Sequence, residues 1–150
     1  MKQTKERVAE IQVSYRPAIS NKPVIISALD AFIEIVEFFP QETIALQEKF
    51  VVMYLNRCNR VLGVYPLSTG GITGTMVDIR LILSVALKVA ATGIILAHNH
   101  PSGNLQPSSA DRDLTGKIKD ACKYFDISLF DHLIIAPDRR YFSFADEGVM

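Results

Sequence analysis

The chain has 150 residues, 49% hydrophobic and 21% charged, the proportions of a folded domain rather than a disordered segment. Sixteen Lys and Arg balance sixteen Asp and Glu, so the formal net charge is zero. The strongly basic balance of many nucleic-acid binders is therefore absent, although a local basic patch stays open. Cys58 and Cys122 form no Cys-x-x-Cys pair and are too few for a disulfide framework or a cysteine zinc site. They read as reduced thiols of a cytoplasmic protein.

Residues 1–22 are polar and without periodicity and read as an N-terminal arm; residues 23–150 read as one domain. No apolar run follows the charged start, so no secretory leader is expected. Ser27 is an N-cap candidate. Leu29, Phe32, Ile33, Val36 and Phe39 follow at spacings of three and four, one apolar helical stripe that Pro40 closes. Residues 50–55 predict a strand, 56–60 a turn and 61–67 the return strand of a hairpin. Residues 68–75 hold three glycines and read as a loop, either a flap or a tight turn. They lack the Lys of a phosphate-binding loop, so no nucleotide site follows.

Residues 78–91 are apolar nearly all round, which predicts a helix buried on most sides, ended by Gly93. Residues 94–97 predict a short buried strand. The apolar run 81–97 carries Lys88 and falls short of the roughly 20 residues of a membrane span, so no membrane segment is expected. Residues 98–107 read as a loop. Residues 109–125 read as an amphipathic helix with Leu114, Ile118, Ala121 and Phe125 on one face. Strands over 127–135 and 141–144 flank a turn at 137–140. The order predicts an α/β (α+β) domain, a mixed central β-sheet flanked by helices.

The informative segment is the loop after the short buried strand predicted over 94–97. His98 and His100 stand two apart at the end of an apolar strand, where alternation points both imidazoles to one face. Pro101 biases His100 toward extended backbone. Two neutral imidazoles so placed suit a zinc ion, with nitrogens at about 2.0–2.1 Å, and a catalytic zinc site wants a third protein ligand. Asp111, in the first turn of the next helix, supplies one. Ser108-x-x-Asp111 also matches a helix capping box, which by itself accounts for both residues. Residue types alone leave the metal site and the capped helix start level. The His-Glu-x-x-His helix motif is absent, and consecutive His-Asn-His is not the dispersed nuclease motif of that name.

The pattern His98-x-His100-x₇-Ser108-x₂-Asp111 resembles the JAMM signature of the JAB/MPN metallopeptidases. That family usually has Ser or Thr between the histidines, where this chain has Asn99. His-Asn-His-Pro-Ser-Gly over 98–103 is instead similar to the RadC branch. Glu48-Lys49-Phe50, Leu55-Asn56, the 70–75 loop, Asp131-His132 and Tyr141-Phe142-Ser143 extend the resemblance over about residues 20–148. It implies a RadC-like protein of short form, without the helix-hairpin-helix segment of longer relatives, and a cytidine-deaminase-like JAB/MPN fold. It implies that His98, His100 and Asp111 bind Zn²⁺, which would lower the pKa of a bound water to about 7. Glu48 would move the proton to the leaving amine. Ser108 would help hold the oxyanion. The reaction implied is hydrolysis of a peptide or isopeptide bond in an unnamed peptide or protein substrate.

Glu42 competes with Glu48 for the base role when the resemblance is set aside. Asp131 and His132 read either as hydrogen-bond partners of zinc-bound histidines or as buried strand residues; the second reading is favoured, for Ser143 as well. RadC relatives also carry a DNA-repair label, so the alternative is a non-proteolytic accessory or scaffold module of DNA metabolism. Arg57, Arg60, Arg139 and Arg140 lie in turns, where plain solvation explains them. Oligomeric state stays open, with a homodimer compatible with exposed strand edges and relatives.

Overall fold

Ser27 accepts a hydrogen bond from the Asp30 backbone N–H, and Asp30 answers at the Ser27 N–H, a complete capping box. It starts α1 (Ala28–Ile35), which tightens into a 3₁₀ turn over Val36–Phe38 before Pro40. β1 (Lys49–Leu55) and β2 (Val61–Thr69) form an antiparallel hairpin, followed by α2 (Ile79–Lys88), β3 (Gly93–Asn99), α3 (Ser109–Lys123), β4 (Ser128–Ile135) and β5 (Tyr141–Ser143). The computed structural model describes residues 8–18, 22–71 and 76–150. The predicted 68–75 loop falls partly outside these; its start, Ser68 and Thr69, belongs to β2, and Gly70 pairs with the Glu48 backbone. Residues 8–18 have no regular secondary structure, and Tyr15 donates its hydroxyl to the Leu62 carbonyl at 2.5 Å.

The strands form one five-stranded sheet in the order β2-β1-β3-β4-β5. β3 and β4 run parallel, joined by the α3 crossover, and the other neighbours run antiparallel. The predicted mixed sheet flanked by helices is therefore the architecture found. Strands β1 and β3 are buried on both faces, which explains their unbroken apolar composition. Val51, Met53, Leu55, Ile95, Ala97, Leu133 and Ile135 pack toward α1. Phe50, Val52, Tyr54, Ile94 and Leu96 pack toward α2 and α3. The Tyr54 hydroxyl, buried in that second layer, donates to the Ile82 carbonyl at 2.9 Å, and burial pushes its pKa up.

Several local expectations are corrected. Of the predicted stripe, Val36 and Phe39 are buried and Phe32 packs against the same layer, whereas Leu29 and Ile33 are 52% and 54% exposed; Ala28, Ala31 and Ile35 complete the buried face. Both sets have helical spacing, and the face with two small alanines lies toward the sheet. Helix α2 is not buried on most sides: Ile82 and Ala86 are buried, while Leu81 and Leu87 are exposed. It also ends earlier than read. Ala90 takes the left-handed conformation (φ 55°), and the Ala91 N–H closes back onto the Ala86 carbonyl at 2.9 Å. Gly93 therefore does not end the helix; it opens β3, and a Cβ there would lie 2.1 Å from the Phe130 ring. In α3 the buried residues are Thr115, Ile118 and Cys122, and Phe125 lies exposed beyond the helix.

Candidate metal centre

β3 runs two residues further than the apolar pattern suggests, so His98 and Asn99 are strand residues and both are buried. Alternation then sends them to opposite faces. His98 stacks on Phe50 (ring centroids 5.9 Å apart), on the α2/α3 face. Asn99 reaches the other way. Its amide nitrogen donates to the Ile44 and Gln47 carbonyls, both at 2.8 Å, and its oxygen accepts from the Lys49 N–H at 2.7 Å. One buried amide thus clasps the segment 44–49, which carries Glu48, against the end of β3.

His100 follows, anchored by its N–H on the Ile135 carbonyl. The loop then turns at Gly103 (φ 83°) and brings the Asn104 carbonyl onto His100 Nδ1 at 2.5 Å. A carbonyl only accepts, so Nδ1 carries the hydrogen and Nε2 is a bare lone pair when the ring is neutral. Ser108 caps α3: its hydroxyl accepts from the Asp111 N–H at 3.0 Å, and its own N–H donates to Asp111 Oδ2 at 2.8 Å. The capping box anticipated in the sequence is therefore real, and it aims the Asp111 carboxylate back at the strand end.

Four side chains converge there. His98 Nε2 and His100 Nε2 are 3.0 Å apart. Asp111 Oδ1 is 3.3 Å from His98 Nε2 and Oδ2 is 3.2 Å from His100 Nε2. Glu48 Oε1 is 3.8 Å from His98 Nε2, and one ligand atom from each of the four falls within 4.8 Å of the others. Ligand atoms around a tetrahedral zinc ion at about 2.0–2.2 Å stand roughly 3.3–3.6 Å apart, and the separations among the two histidines and Asp111, with one carboxylate oxygen toward each ring, come within a few tenths of an ångström of that spacing. The chemistry of the donor set agrees with the spacing: two imidazole nitrogens and a carboxylate suit zinc and its first-row neighbours. Glu42, the competing carboxylate, lies exposed on the turn before β1 and outside this group.

Electrostatics keep the Asp111 carboxylate in the form a metal needs, whereas His100 has to give up a proton to ligate. Burial acts to raise the Asp111 pKa, but the contacts with His100, His98 and the Ser108 N–H outweigh it. Asp111 lies well below the usual carboxylate range and stays ionised. Burial acts to lower His100, and Asp111 and the Asn104 carbonyl reverse that into a raised value. The side chains of Glu48, His100 and Asp111 are 16%, 17% and 15% exposed, so the site is open to small reactants on one side.

The favoured reading of His132 as a plain strand residue does not hold. Its Nε2 lies 2.7 Å from His98 Nδ1 and its Nδ1 lies 2.7 Å from Thr115 Oγ1. Asp131, by contrast, touches no imidazole. Its oxygens accept from the Ser143 hydroxyl, the Ala145 N–H and the His132 N–H, which fits the structural reading of Asp131 and Ser143. Burial nonetheless raises the Asp131 pKa. Sequence reasoning missed Thr115 and the role of Asn99. A buried Asn at the end of an apolar strand was the available signal for the second; nothing short of the fold pairs Thr115 with His132.

Two of the turn arginines are engaged within the chain. Arg140 binds Asp138 at 2.6 Å and the Gly103 carbonyl at 3.3 Å, and Arg60 donates to the Lys22 carbonyl at 2.9 Å. No helix among the described residues is long and apolar enough to cross a membrane.

Comparison with known proteins agrees with this geometry. A family model described as a RadC-like JAB domain matches residues 26–149. A UPF0758 protein of Flavobacterium johnsoniae is 51% identical over 102 residues, 68% of this chain and 44% of that one. One from Porphyromonas gingivalis is 45% identical over 104 residues, 69% of this chain and 46% of that one. The UPF0758 protein YfjY of Escherichia coli is 39% identical over 104 residues, 69% of this chain and 64% of that one. The matched segment thus spans about half the length of such relatives.

Proposed function

The chain belongs to the RadC-like JAB domain family, and on that premise we propose that it is a zinc-dependent hydrolase of peptide or isopeptide bonds. The observation that carries this reading is the convergence of Glu48 with His98, His100 and Asp111 at one strand end. His98, His100 and Asp111 would hold the ion. When bound, zinc supplies Lewis acidity that polarises a substrate carbonyl and eases ionisation of water.

The chain's own residues supply the rest. Glu48 is carried next to His98 but stands further from it than Asp111 does, at 3.8 Å against 3.3 Å. That placement suits a proton carrier better than a ligand. Its carboxylate takes the proton of the attacking water and delivers it to the amine nitrogen as the C–N bond breaks, so the group ends as it began. Ser108 uses its oxygen lone pair on the Asp111 N–H and keeps its O–H to donate to the oxyanion. Asn99 holds the segment that bears Glu48.

The test is metal content joined to turnover. Purified protein reconstituted with zinc should hold about one ion per chain, and the His98→Ala/His100→Ala double variant should hold none. Glu48→Gln should keep the ion and lose hydrolysis of a peptide library and of isopeptide-linked lysine probes by about 10²–10⁴-fold. Wild-type protein that takes up no zinc would sink the proposal. Zinc uptake without cleavage of any probe, alongside salt-sensitive DNA binding, would favour the accessory-module reading instead.

A further inference from the structure

We propose that His132 and Thr115 are positioning residues, a buried relay that fixes the one neutral tautomer in which His98 can ligate a metal ion. This rests on the reading of His98 as a ligand given above. It follows from the direction of each hydrogen bond. The Thr115 hydroxyl lies 2.6 Å from the Asp111 carbonyl oxygen. That oxygen only accepts, so the single hydroxyl hydrogen goes to it. What Thr115 Oγ1 then offers His132 is a lone pair, and His132 Nδ1, at 2.7 Å, must be the donor.

A neutral imidazole protonated at Nδ1 has a bare Nε2. His132 Nε2 therefore accepts, and the atom it faces, His98 Nδ1 at 2.7 Å, must carry a hydrogen. His98 is left with Nε2 bare, and that is the atom turned toward His100 and Asp111. Without the relay, the Asp111 carboxylate 3.3 Å from His98 Nε2 would favour the opposite tautomer, in which Nε2–H points into the site and blocks ligation. His100 reaches the same state independently through the Asn104 carbonyl. Two such ring nitrogens 3.0 Å apart are satisfied by a proton or a metal ion between them.

The surroundings suit a relay that holds hydrogens in place rather than exchanging them with solvent. His132 has no solvent exposure, and Thr115 has 2%. The His132 ring stacks on Phe144 (4.7 Å) and meets the edge of Phe50 (5.6 Å). In such a dry pocket an unpaired ring nitrogen is costly, so each bond enforces the next. Thr115 also links the relay to the third ligand, because it donates to the backbone of Asp111 itself.

The test uses the full chain with and without zinc. Nitrogen-15 NMR of the metal-free protein should show His98 and His132 both protonated at Nδ1. Thr115→Val keeps the shape but removes the oxygen lone pair, which frees His132 to reverse and to push His98 into the Nε2–H form. Zinc affinity, read by competition with a chromophoric chelator, should fall about 10–100-fold. Thr115→Ser, which restores the hydroxyl, should recover most of it. If Thr115 were only a packing residue, the valine variant would bind zinc like wild type and His98 would keep its tautomer; either result overturns the relay. Should the valine variant fail to fold, the wild-type spectrum still decides, since His98 protonated at Nε2 refutes the inference. Wild type that binds no zinc defeats the proposed function instead, and the metal-free spectrum then judges the relay alone.

Discussion

The Lys49 backbone N–H donates to Asn99 Oδ1 at 2.7 Å, so the strand that carries His98 and leads into His100 is fastened to the segment that carries Glu48. The same amide donates to the Ile44 and Gln47 carbonyls and has no solvent exposure. Asn99→Asp keeps the acceptor for Lys49 but turns a carboxylate toward two carbonyl oxygens. The variant should lose about 2–4 kcal/mol of stability at neutral pH. The introduced carboxyl can relieve one clash only by protonating, so its folded-state pKa rises above the unfolded value near 3.9. The sign follows: the deficit is smallest in acid and grows as pH rises through the folded-state pKa. Urea unfolding of both proteins at pH 4.5 and 7.5 checks this, and a gap that does not narrow at the lower pH contradicts it.

Zinc should stabilise a fold that exists without it. The apolar layers on both faces of the sheet are made without any contribution from the candidate ligands, apart from the His98 ring on Phe50. The metal-free protein should therefore melt cooperatively, and free zinc at 100 times its Kd should add about 2.7 kcal/mol. For a chain of this size that is a rise of roughly 5–10 °C in Tm. Chelator should reverse it, and His100→Ala should abolish it. Metal-free protein that lacks cooperative melting would show instead that the ion is part of the fold.

The site was more legible than the packing around it, and the reason is physical. His98, His100, Ser108 and Asp111 lie within one strand end and one helix start, so spacing in sequence fixes their spacing in space. Glu48 comes from 50 residues earlier than His98, and its approach depends on the β1–β3 register that pairs Phe50 with His98. Only the family resemblance pointed to it. His132 is the opposite case: an unremarkable histidine in an apolar strand whose role exists only because β4 lies parallel to β3 and α3 brings Thr115 over both. Leu29 and Ile33 were read into the α1 stripe, and α2 was read as buried on most sides, because hydropathy counts Leu29, Ile33 and Leu81 above Ala28, Ala31 and Ala86. Close approach to a sheet selects the smaller residues.

The two cysteines should behave as different species. Cys58 is exposed in the hairpin turn, whereas Cys122 is fully buried against the sheet, where burial pushes its thiol up to about 11. At pH 8 only about one part in a thousand of such a thiol is thiolate, the form that reacts. A disulfide-exchange reagent should therefore titrate one thiol per native chain and two after denaturation. Because the folded state holds the Cys122 proton above the pH at which the unfolded thiol loses it, stability should also decline as pH rises past about 9. Two fast-reacting thiols in the native protein contradict the placement of Cys122.

Ala90 and Gly93 make a paired test of where α2 ends. Ala90 is exposed and holds φ 55°, a conformation that strains a residue with a Cβ by roughly 1–2 kcal/mol. Glycine removes that strain and loses about 0.4–1 kcal/mol through greater freedom in the unfolded chain. Ala90→Gly should therefore stabilise by about 0.5–1 kcal/mol, a rise of roughly 1–4 °C in Tm. Gly93 has no such backbone need; its missing side chain makes room for Phe130, whose ring would stand 2.1 Å from an added Cβ. Gly93→Ala should thus destabilise, and pairing it with Phe130→Ala should remove most of the penalty that the clash adds. Melting curves of the four proteins decide the matter, because a helix that ended at Gly93 would make Ala90→Gly destabilising by the usual 0.5–1 kcal/mol of an interior glycine.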